Sequence, residues 1–177
     1  MSAPATAKKV LHIGKYFPPH VGGMETYLHS LMHALVTLNI VPCALVHQSK
    51  IGITSVEEIL SANGCALRVV KAATWGRLLF TPISPGFPLL LHRLINRDRP
   101  DLLHLHLPNP SAFWALALPS ARCLPWVIHW QSDVLTERSH WLLRLAYQVY
   151  LPLESALLKK ADKVIVSSPP YLATSKP

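Results

Sequence analysis

The stretch KKVLHIGKYFPPHVGGMETYLHSLMHAL (residues 8–35) contains the three parts of a strand–loop–helix unit. Its beginning, KKVLHIG (8–14), is a short apolar run ending in glycine, which is typical of a buried strand. The loop KYFPPHVGG (15–23) that follows is rich in proline and glycine. From Met24 the period becomes helical, and Glu25 in the first turn suits the positive end of a helix dipole. The apolar stripe of this helix is expected at Met24, Tyr27, Leu28, Leu31, Leu35 and Leu38.

The rest of the chain repeats this alternation of strands and helices. Five more strands are expected, at 41–48, 66–72, 101–107, 125–134 and 161–169. Helices are expected at 56–64, at 89–100, around 111–118, and over 136–160 with a kink at Pro152. A long loop is expected at 74–88. Such alternation predicts an α/β fold with a parallel, doubly wound, Rossmann-like sheet.

Composition and cysteine usage favour one globular domain. The 177 residues are 50% apolar and 15% charged, which excludes a disordered chain. No apolar run reaches the length of a membrane span and none resembles a signal peptide, so we expect a cytoplasmic protein. Cys43, Cys65 and Cys123 form no CxxC pair, which predicts buried free thiols and neither disulfides nor a zinc knuckle.

The net charge of +8 favours anionic partners. Nucleotide phosphates, an acidic membrane surface and nucleic acid all fit this charge. The sequence lacks the paired aromatics on a basic face that stack nucleic-acid bases, so nucleic acid is not expected. The helical stretch 140–160 mixes leucines and aromatics with Arg144, Lys159 and Lys160, and a membrane surface is its alternative to packing on the sheet.

Functional residues are expected where the parallel strands end, in 15–23, 107–110 and 131–133, because doubly wound sheets bind ligands at that edge. Gly22 and Gly23 open the first helix, where bare backbone can approach a phosphate; a plain turn is the alternative. The dinucleotide fingerprint GxGxxG is absent, which argues against a dehydrogenase.

Two histidine pairs raise the question of a metal site. His104 and His106 share one face of a strand, but no third ligand is apparent, so no metal is expected. His104 is interpreted as a packed core residue, whereas His106 lies nearer the strand end, where it can bond a hydroxyl or stabilise phosphate charge. His29 and His33 are four residues apart without the glutamate of HExxH, and we expect them to be exposed.

Small polar side chains follow the fifth strand. Gln131, Ser132 and Asp133 suit the recognition of hydroxyl groups, with an ordinary capping turn as the alternative.

Together these segments resemble the N-terminal domain of family-four GT-B glycosyltransferases, from Val10 to about Ser175. The residues that carry the resemblance are KYFPPHVGGMETYLHSLMHAL (15–35), FTPISPGFP (80–88), DLLHLHLPNP (101–110), WVIHWQSDV (126–134) and LLKKADKVIVSSPPYLATS (157–175). The resemblance implies the N-terminal half of a GT-B fold and transfer, with retention, of a sugar from a nucleotide-sugar donor. It implies no metal or other cofactor. Implied acceptors are saccharides or lipid-linked saccharides, as in the synthesis of cell-envelope polysaccharides.

The resemblance also assigns roles to residues. It implies that His106 lines the reaction centre as the catalytic residue. The substrate-binding residues it implies are Gly22, Gly23, Glu25, Asn109, Gln131, Ser132 and Asp133. Gln131 departs from the pattern, because the family commonly has His before Ser-Asp, and an amide there is expected to change sugar preference or turnover.

The second departure concerns domain organisation. Residues 1–177 are interpreted as one acceptor-side domain, and the E-x7-E motif of the donor-binding C-terminal domain is absent from this chain. The chain alone is therefore expected to lack turnover, with an anionic membrane on the cytoplasmic side as a candidate partner. The alternative is a stand-alone basic module that binds a glycan, a membrane surface or nucleic acid.

Overall fold

The computed structural model describes residues 7–60, 64, 66–78, 81–132 and 141–167. Its strands, β1 to β9 in chain order, are Lys8–Ile13, Ile40–His47, Ser55–Leu60, Ala66–Ala72, Gly76–Leu78, Thr81–Ile83, Leu102–Leu107, Trp126–Trp130 and Lys163–Val166. Its α-helices, α1 to α5, are Gly23–Thr37, Phe87–Asp98, Trp114–Ala117, Pro119–Arg122 and Trp141–Lys160. A 3-10 turn, Pro110–Phe113, precedes α3.

Seven strands form the main sheet in the order β3-β4-β2-β1-β7-β8-β9. All neighbouring pairs are parallel except β3 with β4. The six parallel strands, counted along the chain, therefore lie in the order 3-2-1-4-5-6, which is the doubly wound arrangement. The strand order reverses between β1 and β7, and the predicted Rossmann-like fold is confirmed.

Helices cover the two faces of this sheet unequally. On one face, Leu91 and Ile95 of α2 and Leu157 of α5 pack on strand residues such as Leu11 and Leu105. On the other face lies a smaller cluster formed by Phe17, Leu28, Met32, Val36, Ala44, Val46, Leu67 and Val69, which joins α1 to β2 and β4. The second face continues across β1, β7 and β8 with polar side chains in place of apolar ones.

The apolar stripe predicted for α1 is displaced. The buried residues are Glu25, Leu28, Met32 and Val36, whereas Tyr27 and Leu38 are exposed. The predicted stripe follows the leucines of the helix, but packing on β2 determines which side of the helix faces the sheet. Tyr27 is thereby left free to face the neighbouring histidines.

The helix predicted at 56–64 is wrong, because residues 55–60 form β3 and pair antiparallel with β4. Glu57 of this strand forms an ion pair with Lys71 (2.8 Å). Pairing with β3 gives hydrogen-bond partners to the exposed backbone edge of β4. The free energy gained in this way overrides the local preference of VEEIL for helix.

Two other segments also differ from expectation. The predicted loop 74–88 contains the antiparallel pair β5 and β6, and α2 begins within it at Phe87. The expected helix around 111–118 consists of the 3-10 turn followed by α3, which ends where Leu118 is extended before Pro119.

The cysteines agree only in part with the prediction of buried thiols. Cys43 is half-buried, and burial raises the pKa of its thiol. Cys123 is exposed, which contradicts the prediction, because it follows the short helix α4 at the surface. Cys65 lies outside the described residues. Among the helices of the described ranges, none has the length and apolar character needed to cross a membrane.

Candidate functional site

Four buried imidazoles meet where the strand order reverses. His12 of β1 pairs in register with His104 of β7, and His106 pairs with His129 of β8. Because side chains alternate along strands, these histidines share the α1 face, while Leu103 and neighbouring leucines enter the opposite core. A doubly wound sheet presents its ligand crevice at this reversal.

Hydrogen bonds connect these side chains in a row. His12 Nδ1 lies 3.2 Å from His106 Nε2, and His106 Nδ1 lies 3.2 Å from the Gln131 amide nitrogen. The same amide nitrogen lies 3.2 Å from His129 Nδ1. With the amide in this orientation, Gln131 donates to both Nδ1 atoms, so His106 Nε2 carries the proton and donates to His12. The ring of His104 stacks on His106 with 4.4 Å between centroids.

Burial lowers the pKa values of these rings and favours their neutral form. His12 is 0% exposed, His106 1%, His129 4% and His104 6%. Burial lowers the pKa of His104 to about 4, and it holds the pKa values of His12 and His106 well below the usual value. At neutral pH, His106 therefore carries no positive charge, and both of its ring nitrogens bond within the row, to Gln131 and to His12.

A cleft of about 400 Å³ opens above this row. Its lining residues are Gly23, Met24, Tyr27, His129, Gln131, Ser132 and Ser167. His106 is not among them, because its ring lies behind Gln131 and beneath Tyr27, whose ring centroid is 6.2 Å away. His129 and Gln131 form the wall, and His106 supports it from within the protein.

The paired glycines have different environments. A Cβ at Gly22 would collide with the carboxylate of Glu25, whereas a Cβ at Gly23 would meet nothing within 4 Å. Gly23 therefore leaves open space at the start of α1, where the first backbone N–H groups lack partners within the helix. Glu25 is buried against Gly22. Burial lowers the pKa of Lys15, and the negative charge of Glu25 partly offsets this effect.

Asn109 is buried at the end of β7. Its Oδ1 accepts a hydrogen bond from the Ser111 backbone N–H (3.2 Å), which caps the 3-10 turn, while Nδ2 has no partner. Ser132 is exposed and reaches the cleft. Asp133 lies outside the described residues. Of the residues predicted for the site, Gly23, Gln131 and Ser132 come together in the cleft, and His106 lies directly behind them.

Two residues of this site were missed by sequence reasoning. Tyr27 lies over His129 with 4.3 Å between ring centroids, and His12 supplies the third imidazole of the buried cluster. His12 stands on a strand 92 positions before His104, and only the pairing of β1 with β7 reveals that they meet. The alternation of KKVLHIG places His12 on the face opposite Leu11 and Ile13, which is the available signal.

The other histidine pair is not exposed as predicted. His29 and His33 are half-buried, and their Nε2 atoms lie 3.2 Å apart. Phe17 packs against His29 with 5.6 Å between ring centroids, which covers part of the pair.

A second cavity of about 260 Å³ lies at the opposite, amino edge of the sheet. Its lining includes Cys43 and the ion pair between Arg68 and Asp98. This pair joins β4 to α2, so the cavity is accounted for by the packing of the fold.

The fold is an α/β domain with a cleft at the carboxyl edge of a parallel sheet. The family described as "Glycosyl transferase 4-like domain" matches residues 22–174 of this chain. The chain therefore belongs to the glycosyl transferase 4-like family and is an N-terminal GT-B glycosyltransferase domain. A comparison with curated proteins found no match.

Proposed function

We propose that this chain is the acceptor-side domain of a retaining glycosyltransferase that uses a nucleotide-sugar donor. One observation carries the proposal: in a chain of this family, an open glycine at the start of α1 faces Gln131 and Ser132 across the cleft. Such a wall offers uncharged hydrogen-bonding groups to sugar hydroxyls and free backbone N–H groups to a phosphate.

Each site residue has a part in this proposal. Gln131 and Ser132 bond sugar hydroxyls, and Gly23 lets a phosphate approach the helix. His106 orients Gln131 through its Nδ1 atom (3.2 Å), so its role is positioning rather than proton transfer. His129, which lines the cleft itself, is the imidazole that a substrate can contact.

A donor-binding domain supplies the second wall of the cleft in this proposal. Transferases of this kind gain rate by holding donor and acceptor in one closed, preorganised cleft. The chain alone should therefore bind ligand without hexosyl transfer, and no cofactor is required besides the nucleotide sugar. Robust transfer by the purified 177-residue chain would contradict the half-cleft proposal.

The test of ligand binding is a saturation-transfer NMR screen of saccharides and nucleotide sugars with the purified chain. The wild type should give a signal with at least one ligand class, and Gln131→Ala should reduce it at least ~10-fold by removing a bond to the ligand. Arg68→Ala, at the amino-edge cavity, is the matched control and should bind normally. Equal binding by both variants would show that the cleft is not the site.

A membrane surface is a second candidate partner, and one feature favours it. The bridge between Gly52 and Thr74 joins two loops, and the exposed apolar residues Ile51, Ile53 and Trp75 are its neighbours along the chain. Basic residues of the same region, among them Arg77, suit an anionic leaflet such as the inner face of a cell membrane, where a lipid-linked acceptor for cell-envelope polysaccharide would lie.

Flotation with anionic vesicles tests this surface. Wild type should float, and Ile53→Ser/Trp75→Ser should not, because the apolar contact is lost. Val164→Ser, which changes an exposed apolar residue on the edge strand β9, is the control. Failure of the wild type to float would end the membrane proposal without affecting the sugar-binding one.

A further inference from the structure

The buried cluster at the strand reversal contains three potential metal ligands. His12, His104 and His106 each offer an imidazole nitrogen, and these nitrogens all lie within 4.8 Å of one another. The three side chains come from two strands of a rigid sheet, so the backbone already holds them on one face. Rigid elements position ligands more accurately than loops do.

The spacing of the donors suits a small metal ion. A tetrahedral Zn²⁺ with Zn–N bonds of ~2.0–2.1 Å holds its nitrogens ~3.3 Å apart. His12 Nδ1 and His106 Nε2 are 3.2 Å apart and already have this spacing. The widest pair of donors, at most 4.8 Å apart, would have to close by up to ~1.5 Å when the ion binds.

Two ring nitrogens of the cluster have no partner. His12 Nε2 and His104 Nε2 are buried, and neither forms a hydrogen bond. A buried polar atom without a partner costs free energy, and a native structure normally has a reason for it. His104 can therefore offer Nε2 to a metal, whereas His12 would offer Nδ1, the atom that lies 3.2 Å from His106 Nε2.

Gln131 can serve the bound state as well as the free one. As placed, its amide nitrogen donates to Nδ1 of His106 and of His129. After a half-turn of the amide, its oxygen would instead accept an N–H from His106 Nδ1. That tautomer leaves the lone pair of His106 Nε2 directed at His12, as metal-binding histidines require from their outer partners.

We propose that His12, His104 and His106 bind a divalent transition metal ion of the Zn²⁺ class at the reversal of the strand order. Three imidazoles leave the fourth position for a water molecule. This inference does not rest on the proposed transferase activity, and it departs from the expectation, drawn from the sequence, that no metal binds.

The experiment is a calorimetric titration of the untagged 177-residue chain with Zn²⁺, after treatment with a chelator. The half-buried pair His29 and His33 is the competing site, so the titration is done on His29→Gln/His33→Gln. This variant should bind one Zn²⁺ per chain. Loss of binding in it would place the metal at the helix and overturn the proposal.

Removing one proposed ligand gives the second arm. Loss of an outer partner commonly weakens metal binding 10–100-fold, so His104→Gln should weaken it at least ~100-fold. His47→Gln removes another buried imidazole of the same sheet, outside the cluster, and should bind Zn²⁺ as the parent does. Equal affinity of the His104 variant and the parent would overturn the proposal.

A measurement on the unmutated chain covers the case in which the His104 variant does not fold. Imidazole ¹⁵N NMR reports each ring separately, and Zn²⁺ should shift the nitrogens of His12, His104 and His106 while those of His47 stay in place. Unchanged spectra for the three rings at saturating Zn²⁺ would overturn the proposal.

Discussion

Polar groups near the two edges of the parallel sheet differ in how fully they are paired. At the amino edge, charges are paired: Asp101 accepts from the Lys9 backbone N–H (2.8 Å) and from Lys8 (3.2 Å), and Asp98 pairs with Arg68. Toward the carboxyl edge, buried neutral side chains have atoms without partners, at His12, Tyr16, His47, His104 and Asn109. Arg68 Nε is the amino-edge exception within the described residues.

We therefore expect the amino edge to contribute mainly to stability and the carboxyl edge to ligand binding. Pairing at the amino edge fastens strands to helices, whereas the buried, unpaired groups toward the carboxyl edge cost stability. Substitutions at the amino edge should therefore change stability slightly and ligand binding not at all. Changes at the carboxyl edge should alter binding, and acid should act there first.

The largest expected effect is acid destabilisation through the carboxyl edge. Burial, with a contribution from Lys15, lowers the pKa of His47 from 6.5 to about 3. Below pH 6.5 the unfolded chain therefore binds a proton that the folded chain excludes, and the stability present above pH 6.5 is lost progressively down to pH 3. His47 alone should cost about 2 kcal/mol at pH 5.

Urea unfolding at pH 7.5 and pH 5 measures this loss, and His47→Gln should show a smaller one. Asp98 is the amino-edge counterpart: hydrogen bonds and charges from Arg97 and Arg68 outweigh the effect of burial and lower its pKa, so its contribution is lost only below pH 3.8. Equal losses in wild type and His47→Gln between pH 7.5 and pH 5 would contradict the role of His47.

The next effect distinguishes the two glycines. Gly22→Ala should destabilise by about 1–1.5 kcal/mol, because the new methyl group forces the Glu25 carboxylate, the end of a flexible side chain, to move. Gly23→Ala has open space and should leave stability unchanged or raise it slightly, while weakening phosphate approach. Thermal unfolding measures both, and partial recovery of stability in Gly22→Ala/Glu25→Ala would identify the collision as the cause.

A smaller effect is expected for the amino-edge pair. Arg68→Ala leaves Asp98 without its partner on β4, and both side chains are about one-quarter exposed. We expect a cost of about 1 kcal/mol in the free energy of unfolding, measured by urea titration, with unchanged ligand binding. A change in ligand affinity would remove the distinction between the two edges.

The smallest effect is expected for Lys8→Ala. The side chain of Lys8 is 74% exposed in its pair with Asp101, so water and salt screen the attraction. Its loss should change stability by less than ~0.5 kcal/mol in the same urea titration. A larger loss would show that this surface pair fastens β1 to the loop before β7.

Much of the fold is predictable from the sequence because the spacing of apolar residues along the chain determines it. Apolar runs and helical stripes locate the parallel strands and the long helices, and the alternation itself dictates a doubly wound sheet. The edge strand β3 is not predictable in this way, since VEEIL becomes a strand only through pairing with β4. The displaced stripe of α1 has a similar cause, because packing on β2 chooses the buried side.

The candidate site is only partly predictable. Gly23, Gln131 and Ser132 follow strands or open a helix, so the general rule for parallel sheets locates them. His12 and Tyr27 were missed because they reach the site through the pairing of β1 with β7 and through the rotation of α1. His106 was correctly expected near the strand end, but its depth behind Gln131 depends on side-chain packing.

Backbone amide NMR of the ¹⁵N-labelled chain shows whether ligands bind at the carboxyl edge of the sheet. With a binding nucleotide sugar or saccharide, we expect shifts at Gly23, Gln131 and Ser132 and none at Arg68 or Asp98. Shifts confined to the amino-edge cavity would contradict the account, because they would place the ligand among the paired groups assigned to stability.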